Sequence, residues 1–220
     1  MANDGEFKQS TVSHQASLKK QLIVCVTGPM AAGKNMASEI LADRGFATID
    51  ADELAHIAVE NAKDKILSAF LPLANERNIE LTNSDGTINR RAVGQLIFAD
   101  KALVAKQESI VFPEINRLFD EFIENNRDRD IAINATVLYK VPLINKVDAI
   151  LYIDAPKIQR YFRARRRDKM PAKQIKQRFS QQRTLFAKYK NCNADIRRVW
   201  NIGTRRRLET KIDQFLTTCR

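Results

Sequence analysis

The sequence lacks long hydrophobic runs and contains few cysteines. No apolar stretch reaches the roughly 18 residues of a membrane-spanning helix, so we expect no membrane segment. The three cysteines, Cys25, Cys192 and Cys219, are odd in number and widely spaced, which fits neither a disulfide framework nor a zinc site. Residues 1–20 are polar, lack the features of a signal peptide, and are interpreted as a poorly ordered extension. We therefore expect a soluble cytoplasmic protein, with one domain at residues 21–220.

Positive charge is concentrated in one segment of the chain. Residues 160–190 contain twelve lysines and arginines and a single acid, Asp168, so they alone account for the net charge of +11. A local field of this sign attracts polyanions, and the candidates are nucleic acid and a phosphate-rich small substrate. The aromatic residues of the segment fall at helical spacings, which suit packing better than base stacking, so nucleic acid is the less favoured partner.

Short apolar segments alternate with longer helical ones. This alternation predicts an α/β fold with a mostly parallel sheet of about five strands and helices on both faces. Helical insertions are expected at about 53–126, with interruptions at Pro72 and Pro113, and at about 160–190, with a break at Met170-Pro171. The predicted strands are residues 22–27, 46–49, 131–134, 149–153 and 197–200.

The segment Gly28-Pro-Met-Ala-Ala-Gly33-Lys34 matches the pattern G-x-x-x-x-G-K between a predicted strand and a predicted helix. In such a P-loop, the glycines let the backbone fold around phosphates so that its N–H groups face the negative charge. The lysine adds a positive charge beside the β- and γ-phosphates. The residues that we expect to contact ATP are Gly28, Ala31, Ala32, Gly33, Lys34, Asn35 and Met36.

Asn35 departs from this pattern, which has Ser or Thr at that position to contact Mg²⁺. An amide oxygen is an adequate ligand for a hard cation, so Asn35 is the predicted metal contact. The alternative is a degenerate loop that binds nucleotide without turning it over. The retained Lys34 favours an active loop.

Asp50 and Asp52 follow the second predicted strand. Carboxylates at the carboxyl edge of a parallel sheet lie in the crevice where α/β proteins bind ligands. Two residues apart on an extended chain, they point to the same side, and either could accept a proton from a substrate hydroxyl. The competing interpretation is that Asp52 only caps a helix beginning at Glu53.

Taken in order, these segments resemble dephospho-CoA kinases, the family that catalyses the last step of coenzyme A synthesis. The similarity runs from about residue 22 to the C-terminus. Its most specific parts are Ile49-Asp-Ala-Asp-Glu-Leu-Ala-His56, similar to the family's IDAD-x-x-A, and Arg163 with Arg167-Asp168, similar to R-x-x-x-R-D of its lid. Further similar segments are Gly86-Thr-Ile-Asn-Arg90, Arg178-Phe-Ser-Gln-Gln182 and Asn201-Ile-Gly203.

Two further segments depart from the family pattern. Phe112-Pro-Glu-Ile-Asn116 stands in place of H-P-x-I-R, which loses a histidine and moves an arginine, in our interpretation, to Arg117. The segment from Asn134 to Lys140 stands in place of D-V-P-L-L-x-E and loses both acids. These changes concern substrate contacts more than the class of reaction.

The resemblance implies a P-loop kinase that transfers a phosphoryl group from ATP, with Mg²⁺, to the 3′-hydroxyl of dephospho-CoA. It implies that Asp52 accepts the hydroxyl proton, and that Lys34, Arg163 and Arg167 stabilise the transferred group. Asn201 and Gly203 are implied contacts to ATP. The implied contacts to dephospho-CoA are Asp50, Asp52, His56, Arg90 and Arg117.

Two other functions remain open from the sequence. A different small-molecule or nucleotide kinase would share the loop and the lid but phosphorylate another hydroxyl. A non-catalytic protein that binds nucleotide or nucleic acid would account for the basic segment and for Asn35. The sequence does not set an oligomeric state.

Overall fold

The computed structural model describes residues 20–219 of the chain. The polar extension predicted at residues 1–20 therefore lies outside the described residues, apart from Lys20. Within residues 20–219, no helix is both long enough and apolar enough to cross a membrane.

Five strands and nine α-helices alternate over the described residues. The strands are β1 (Ile23–Thr27), β2 (Ala47–Asp50), β3 (Ile131–Asn134), β4 (Ala149–Asp154) and β5 (Asp195–Trp200). The helices are α1 (Lys34–Asp43), α2 (Ala51–Asn61), α3 (Lys63–Glu76), α4 (Arg90–Ile97), α5 (Lys101–Glu124), α6 (Lys157–Asp168), α7 (Ala172–Gln181), α8 (Leu185–Lys190) and α9 (Arg205–Thr218). Two short 3₁₀ turns, Leu138–Lys140 and Pro142–Lys146, connect β3 to β4.

The strands form one parallel sheet in the order β2-β3-β1-β4-β5. This confirms the predicted α/β fold with a five-stranded sheet. The carboxyl end of β1 lies between β3 and β4, so the loop that follows β1 emerges at the centre of the sheet edge. Ligands of open α/β sheets bind at this edge.

Side chains of the central strand alternate between the two faces of the sheet. Val24 and Val26 pack toward one face, where α1 and α9 supply buried apolar residues. Cys25 packs toward the other face, in a core shared with α2, α3, α4 and α5. Burial raises the pKa of the Cys25 thiol, which is therefore a neutral core group. Both faces are covered by helices, as the apolar strands predicted.

The structure corrects the predicted helix breaks at Pro72 and Pro113. Helix α3 continues through Pro72, and α5 continues through Pro113. A proline removes one backbone donor and usually kinks or ends a helix. Here each helix buries apolar side chains on both sides of its proline, for example Val111 and Ile115 in α5, and this packing maintains the helix.

The basic segment also differs from its prediction. Residues 172–190 were expected as one helix after the break at Met170-Pro171, but they form α7 and α8 with a turn at residues 182–184 between them. The turn lets Leu185 and Tyr189 of α8 become buried in the main core, while α7 stays over the P-loop. Hydrophobic contact with the sheet thus overrides the continuous helical pattern.

Candidate active site

The loop between β1 and α1 can be built only with glycine at two positions. Gly28 has a φ of 147°, and a Cβ there would lie 2.0 Å from the Ile153 carbonyl oxygen. Gly33 has a φ of 107°, and a Cβ there would lie 2.2 Å from Nδ2 of Asn201. The backbone of β4 and the side chain of Asn201 therefore shape the loop, and side chains at either position would displace it.

Asn201 joins the loop to the end of β5. Its side-chain nitrogen donates to the Ala32 carbonyl at 2.8 Å, and its backbone nitrogen donates to the Asp154 carbonyl at 2.7 Å. Asn201 is buried. Gly28 and Ala32, two of the predicted ATP contacts, are themselves buried within the loop.

Lys34 begins α1 and lies half-buried beside two carboxylates. Burial lowers the pKa of its ammonium group, the charges of Asp52 and Asp50 oppose that shift, and the positive charge of Arg167 adds to it. The sheet edge therefore brings the loop lysine, both predicted aspartates and Arg167 of α6 into one electrostatic environment. We call α6 and α7 together the lid.

The two aspartates have different roles in the local structure. Asp50, the last residue of β2, is the N-cap of α2: its Oδ1 accepts from the Asp52 backbone nitrogen at 2.9 Å. The alternative that Asp52 is the cap is therefore wrong, because the helix begins at Ala51 rather than at Glu53. Among the described residues, no hydrogen bond or ion pair engages the Asp52 carboxylate, which lies on the wall of a cavity.

This cavity, which we call the loop cavity, has a volume of about 840 Å³. Six cationic side chains and two acidic ones line it, and one of the acids, Glu39, is paired with Arg205. The excess of positive charge suits a polyanion such as a nucleoside triphosphate. The lining residues are Met30, Ala31, Gly33, Lys34, Asn35, Met36, Glu39, Asp52, Thr136, Arg163, Arg166, Arg167, Arg178, Gln182, Asn201, Gly203 and Arg205.

The basic helices α6 and α7 contact the loop directly. Arg163 of α6 points its guanidinium at the carbonyls of Ala31 and Ala32, with Nη1 3.5 and 3.4 Å from the two oxygens. Gln182, just after α7, accepts from the Met30 backbone nitrogen at 2.8 Å. Positive charge of the segment therefore faces the loop cavity, where a small phosphorylated ligand would lie.

Gln182, Arg166, Arg178 and Arg205 also line the loop cavity but were not among the predicted site residues. The sequence carried a signal for Gln182 and Arg178, because both belong to a segment similar to the lid of dephospho-CoA kinases. Arg205 begins α9, outside the basic segment, and no pattern distinguished it.

A second cavity, the helical cavity, has a volume of about 1000 Å³ and lies among α2, α4 and α5. His56 and Arg90 line it, as do the apolar side chains of Ile57 and Phe98, which are 47% and 77% exposed. Large apolar side chains exposed at a cavity are typical of ligand sites.

A small junction cavity of about 80 Å³ lies between the two. It shares Asp52 with the loop cavity and shares Ala55, Ile115 and Val141 with the helical cavity. The helical cavity and the loop cavity are therefore neighbours, with Asp52 beside the junction between them.

Arg117 is not part of this arrangement, which corrects its predicted place among the substrate contacts. It lies on the exposed side of α5, where it forms ion pairs with Glu114 and Glu121 and lines neither cavity. Hydrogen bonds from the side chains of Arg117 and Asn61 lower the pKa of Glu114 to about 2. Helical geometry explains the misplacement, because a residue two positions after Ile115 lies on the opposite face of the helix.

The side-chain oxygen of Asn35, the predicted metal contact, is hydrogen-bonded within the protein. Oδ1 of Asn35 accepts a hydrogen bond from Nδ2 of Asn134 at 3.2 Å. Asn134 also donates to Oδ2 of Asp50 at 3.0 Å, so both oxygens of Asp50 are engaged as well. Within residues 20–219, no group of three or more His, Cys, Asp or Glu side chains could hold a metal ion.

Comparisons with known proteins give a consistent result. The sequence profile of the dephospho-CoA kinase family matches residues 22–198. The dephospho-CoA kinase of Treponema denticola is 38% identical over 201 residues, which cover 88% of each chain. That of Treponema pallidum is 33% identical over 198 residues, which cover 89% of this chain and 94% of the other.

Two solved structures share the fold. The protein TT1252 from Thermus thermophilus aligns with a TM-score of 0.73 at 23% identity, over 90% of this chain and 97% of that one. The dephospho-CoA kinase from Campylobacter jejuni aligns with a TM-score of 0.58 at 21% identity, over the same shares. At these identities the likeness concerns the fold alone.

Proposed function

The chain belongs to the dephospho-CoA kinase family of ATP-dependent phosphotransferases, and we propose how its two cavities and the residues between them transfer a phosphoryl group. This membership confirms the resemblance predicted from the sequence. The reaction of this family is the transfer of the γ-phosphoryl group of ATP to the 3′-hydroxyl of dephospho-CoA.

The observation that carries the proposal is the position of Asp52, which lines both the loop cavity and the junction cavity beside the helical cavity. ATP places its phosphates on the loop, where positive side chains predominate. Dephospho-CoA places its pantetheine arm in the helical cavity, between Phe98 and His56, and its ribose at the junction. Arg90 on the wall of the same cavity offers a positive charge to the diphosphate.

Asp52 is the proposed general base. Its carboxylate has no partner among the described residues, lies at the junction of the cavities and is exposed, so it is available as a proton acceptor. As the 3′-oxygen attacks, its proton passes to Asp52. The new bond joins this oxygen to the γ-phosphorus, the bond from the γ-phosphorus to the β–γ bridging oxygen breaks, and ADP leaves.

Lys34, Arg163 and Arg167 stabilise the charge of the transferred group. Phosphoryl transfer depends mainly on positioning and on electrostatic stabilisation. Lys34 at the start of α1 and Arg167 of α6 both line the loop cavity. Arg163 has a second role, because its contacts with the Ala31 and Ala32 carbonyls hold the loop in place beneath the lid.

ATP enters as its Mg²⁺ complex, in which the phosphate oxygens hold the ion. We place no Mg²⁺ ligand at Asn35, since its side-chain oxygen is already hydrogen-bonded.

Phosphorylation of dephospho-CoA by the purified protein tests the proposal. With ATP and Mg²⁺, the product should be CoA that carries the new phosphate on the 3′-oxygen, identified by mass spectrometry and ³¹P NMR. Parallel reactions contain a nucleoside monophosphate or no acceptor. If only the monophosphate is phosphorylated, the chain is a different kinase. If no acceptor reacts although ATP binds, the chain is a non-catalytic nucleotide-binding protein.

A further inference from the structure

Two asparagines, Asn35 and Asn134, contact each other where P-loop enzymes bring together their protein ligands for Mg²⁺. Those ligands are a Ser or Thr directly after the loop lysine and an Asp at the end of a neighbouring strand. In this chain Asn35 follows Lys34, and Asn134 ends β3, which lies beside β1. Both positions carry an amide, and the two amides are hydrogen-bonded to each other.

The hydrogen-bond network fixes which way each amide faces. In the sheet register Asp50 pairs with Asn134, and a carboxylate oxygen accepts hydrogen bonds. Nδ2 of Asn134 must therefore face Oδ2 of Asp50, and it lies 3.0 Å away. The same nitrogen lies 3.2 Å from Asn35, so the atom that Asn35 presents to it must be the oxygen, Oδ1.

This orientation leaves the Asn35 amide nitrogen facing away from Asn134. Asn35 is exposed on the wall of the loop cavity, and among the described residues no acceptor engages its Nδ2. The atom available to a ligand there is a hydrogen-bond donor. Phosphate oxygens are acceptors, whereas Mg²⁺ requires an oxygen ligand.

Asn134 leaves one of its own polar atoms unsatisfied. Its Oδ1 is buried without a hydrogen-bond partner among the described residues. Reversing this amide would satisfy nothing, because it would turn Oδ1 toward Asp50 and the oxygen of Asn35. The hydrogen bonds of the Asn134 side chain are thus all donated by its NH₂ group, to Asp50 and to Asn35. The second of these bonds orients the Asn35 amide.

We propose that Asn35 and Asn134 act as one unit, in which Asn134 positions the Asn35 amide to donate a hydrogen bond to the β- or γ-phosphate of ATP. This pair takes the place of the two protein ligands to Mg²⁺. Asn35 is then a phosphate-binding residue and Asn134 a positioning residue. The identity of the ligand as ATP rests on the proposed function. Because the pair contacts phosphate rather than metal, the affinity for ATP should depend little on Mg²⁺.

Titration calorimetry with ATP alone, without dephospho-CoA, tests this directly. The wild-type protein should bind ATP with dissociation constants in Mg²⁺ and in EDTA that agree within about threefold, since the Asn35 oxygen is hydrogen-bonded to Asn134 and the Asn134 oxygen is buried. Asn35→Ala should weaken binding by about 10-fold in both buffers, because it removes one charge-assisted hydrogen bond. A variant that binds normally in EDTA but weakly in Mg²⁺ would overturn the proposal and return Asn35 to the metal.

The orienting role of Asn134 has its own readout. The side-chain NH₂ resonance of Asn35, identified by its loss in Asn35→Ala, should shift when ATP binds in EDTA. The variant Asn134→Leu keeps a side chain of similar size but donates no hydrogen bond. In this variant the Asn35 resonance should broaden, and its change on ATP binding should become smaller. An unchanged Asn35 resonance in folded Asn134→Leu would show that Asn134 does not position it.

The double variant N35T/N134D should gain metal ligands at the two positions where the wild type has amides. It restores a hydroxyl and a carboxylate at the two positions, so ATP binding should become metal-dependent, by about 10-fold or more between EDTA and Mg²⁺. Mn²⁺ bound with ATP should then show a protein-altered electron paramagnetic resonance spectrum. Asn145→Asp, an exposed change of equal charge, is the matched control. Failure of acceptor phosphorylation would refute the proposed function without affecting these ATP measurements.

Discussion

Phe98 provides a test of where the second substrate binds. Its ring is 77% exposed at the helical cavity, so it contributes little to the folded core. Complete burial of a phenylalanine side chain is worth roughly 1.5–3 kcal/mol, and a ligand that covers half of the ring would gain about 1 kcal/mol. Phe98→Ala should therefore raise KM for dephospho-CoA by roughly 5- to 10-fold.

Initial-rate kinetics with each substrate varied in turn measure this effect. KM for ATP should stay unchanged, because Phe98 does not line the loop cavity, and the melting temperature should move little. The matched control is Phe162→Ala, an aromatic residue of α6 that is 62% exposed and lines neither cavity. An unchanged KM for dephospho-CoA in Phe98→Ala would refute the placement of the pantetheine arm in the helical cavity.

Three further predictions concern the lid and the loop. Arg167→Ala should lower kcat by about 10²-fold because it removes charge from the transferred group; if it instead weakened salt-dependent binding to duplex DNA and left turnover intact, the basic segment would be a nucleic-acid surface. Arg163→Ala should lower kcat and also raise KM for ATP, because the Arg163 guanidinium contacts loop carbonyls. If only kcat changed, Arg163 would stabilise charge without holding the loop. Gly33→Ala should abolish turnover and lower the free energy of unfolding by roughly 2 kcal/mol. The control is Gly45→Ala, because Gly45 has a φ of 88° but no atom lies within 4 Å of an added Cβ. This variant has the backbone strain without the steric clash and should stay active. Its inactivation would contradict the claim that the clash with Asn201 disables the loop.

Much of the fold follows from local sequence patterns. Continuous apolar segments such as residues 149–153 have no polar face, which is typical of strands buried on both sides, and the three central strands β1, β3 and β4 are of this kind. The helix breaks were harder to predict, because Pro72 and Pro113 cost one hydrogen bond each while the apolar faces around them remain buried. The division between α7 and α8 depends on packing against the sheet, which local spacing does not reveal.

The parts of the site that lie within one short sequence segment could be predicted, whereas contacts between distant residues could not. The loop and the aspartate pair each lie within one short segment, and the strand that precedes each of them places it at the sheet edge. The contact between Asn35 and Asn134 joins residues 99 positions apart and depends on the register of β3, so the two departures looked independent in the sequence. Arg117 was misplaced for a related reason, because its position along the chain says less than the face of α5 on which it lies.

The most direct test of the account is the turnover of Asp52→Asn, since the mechanism assigns proton transfer to this one carboxylate. The change keeps the shape of the side chain and removes its basicity, so kcat should fall by about 10²- to 10⁴-fold while the dissociation constant for ATP stays near that of the wild type. Glu53→Gln, an exposed neutralisation at the next residue of the same helix, is the control and should keep normal kcat. A near-normal kcat for Asp52→Asn would contradict the assignment of Asp52 as the base beside the junction of the two cavities.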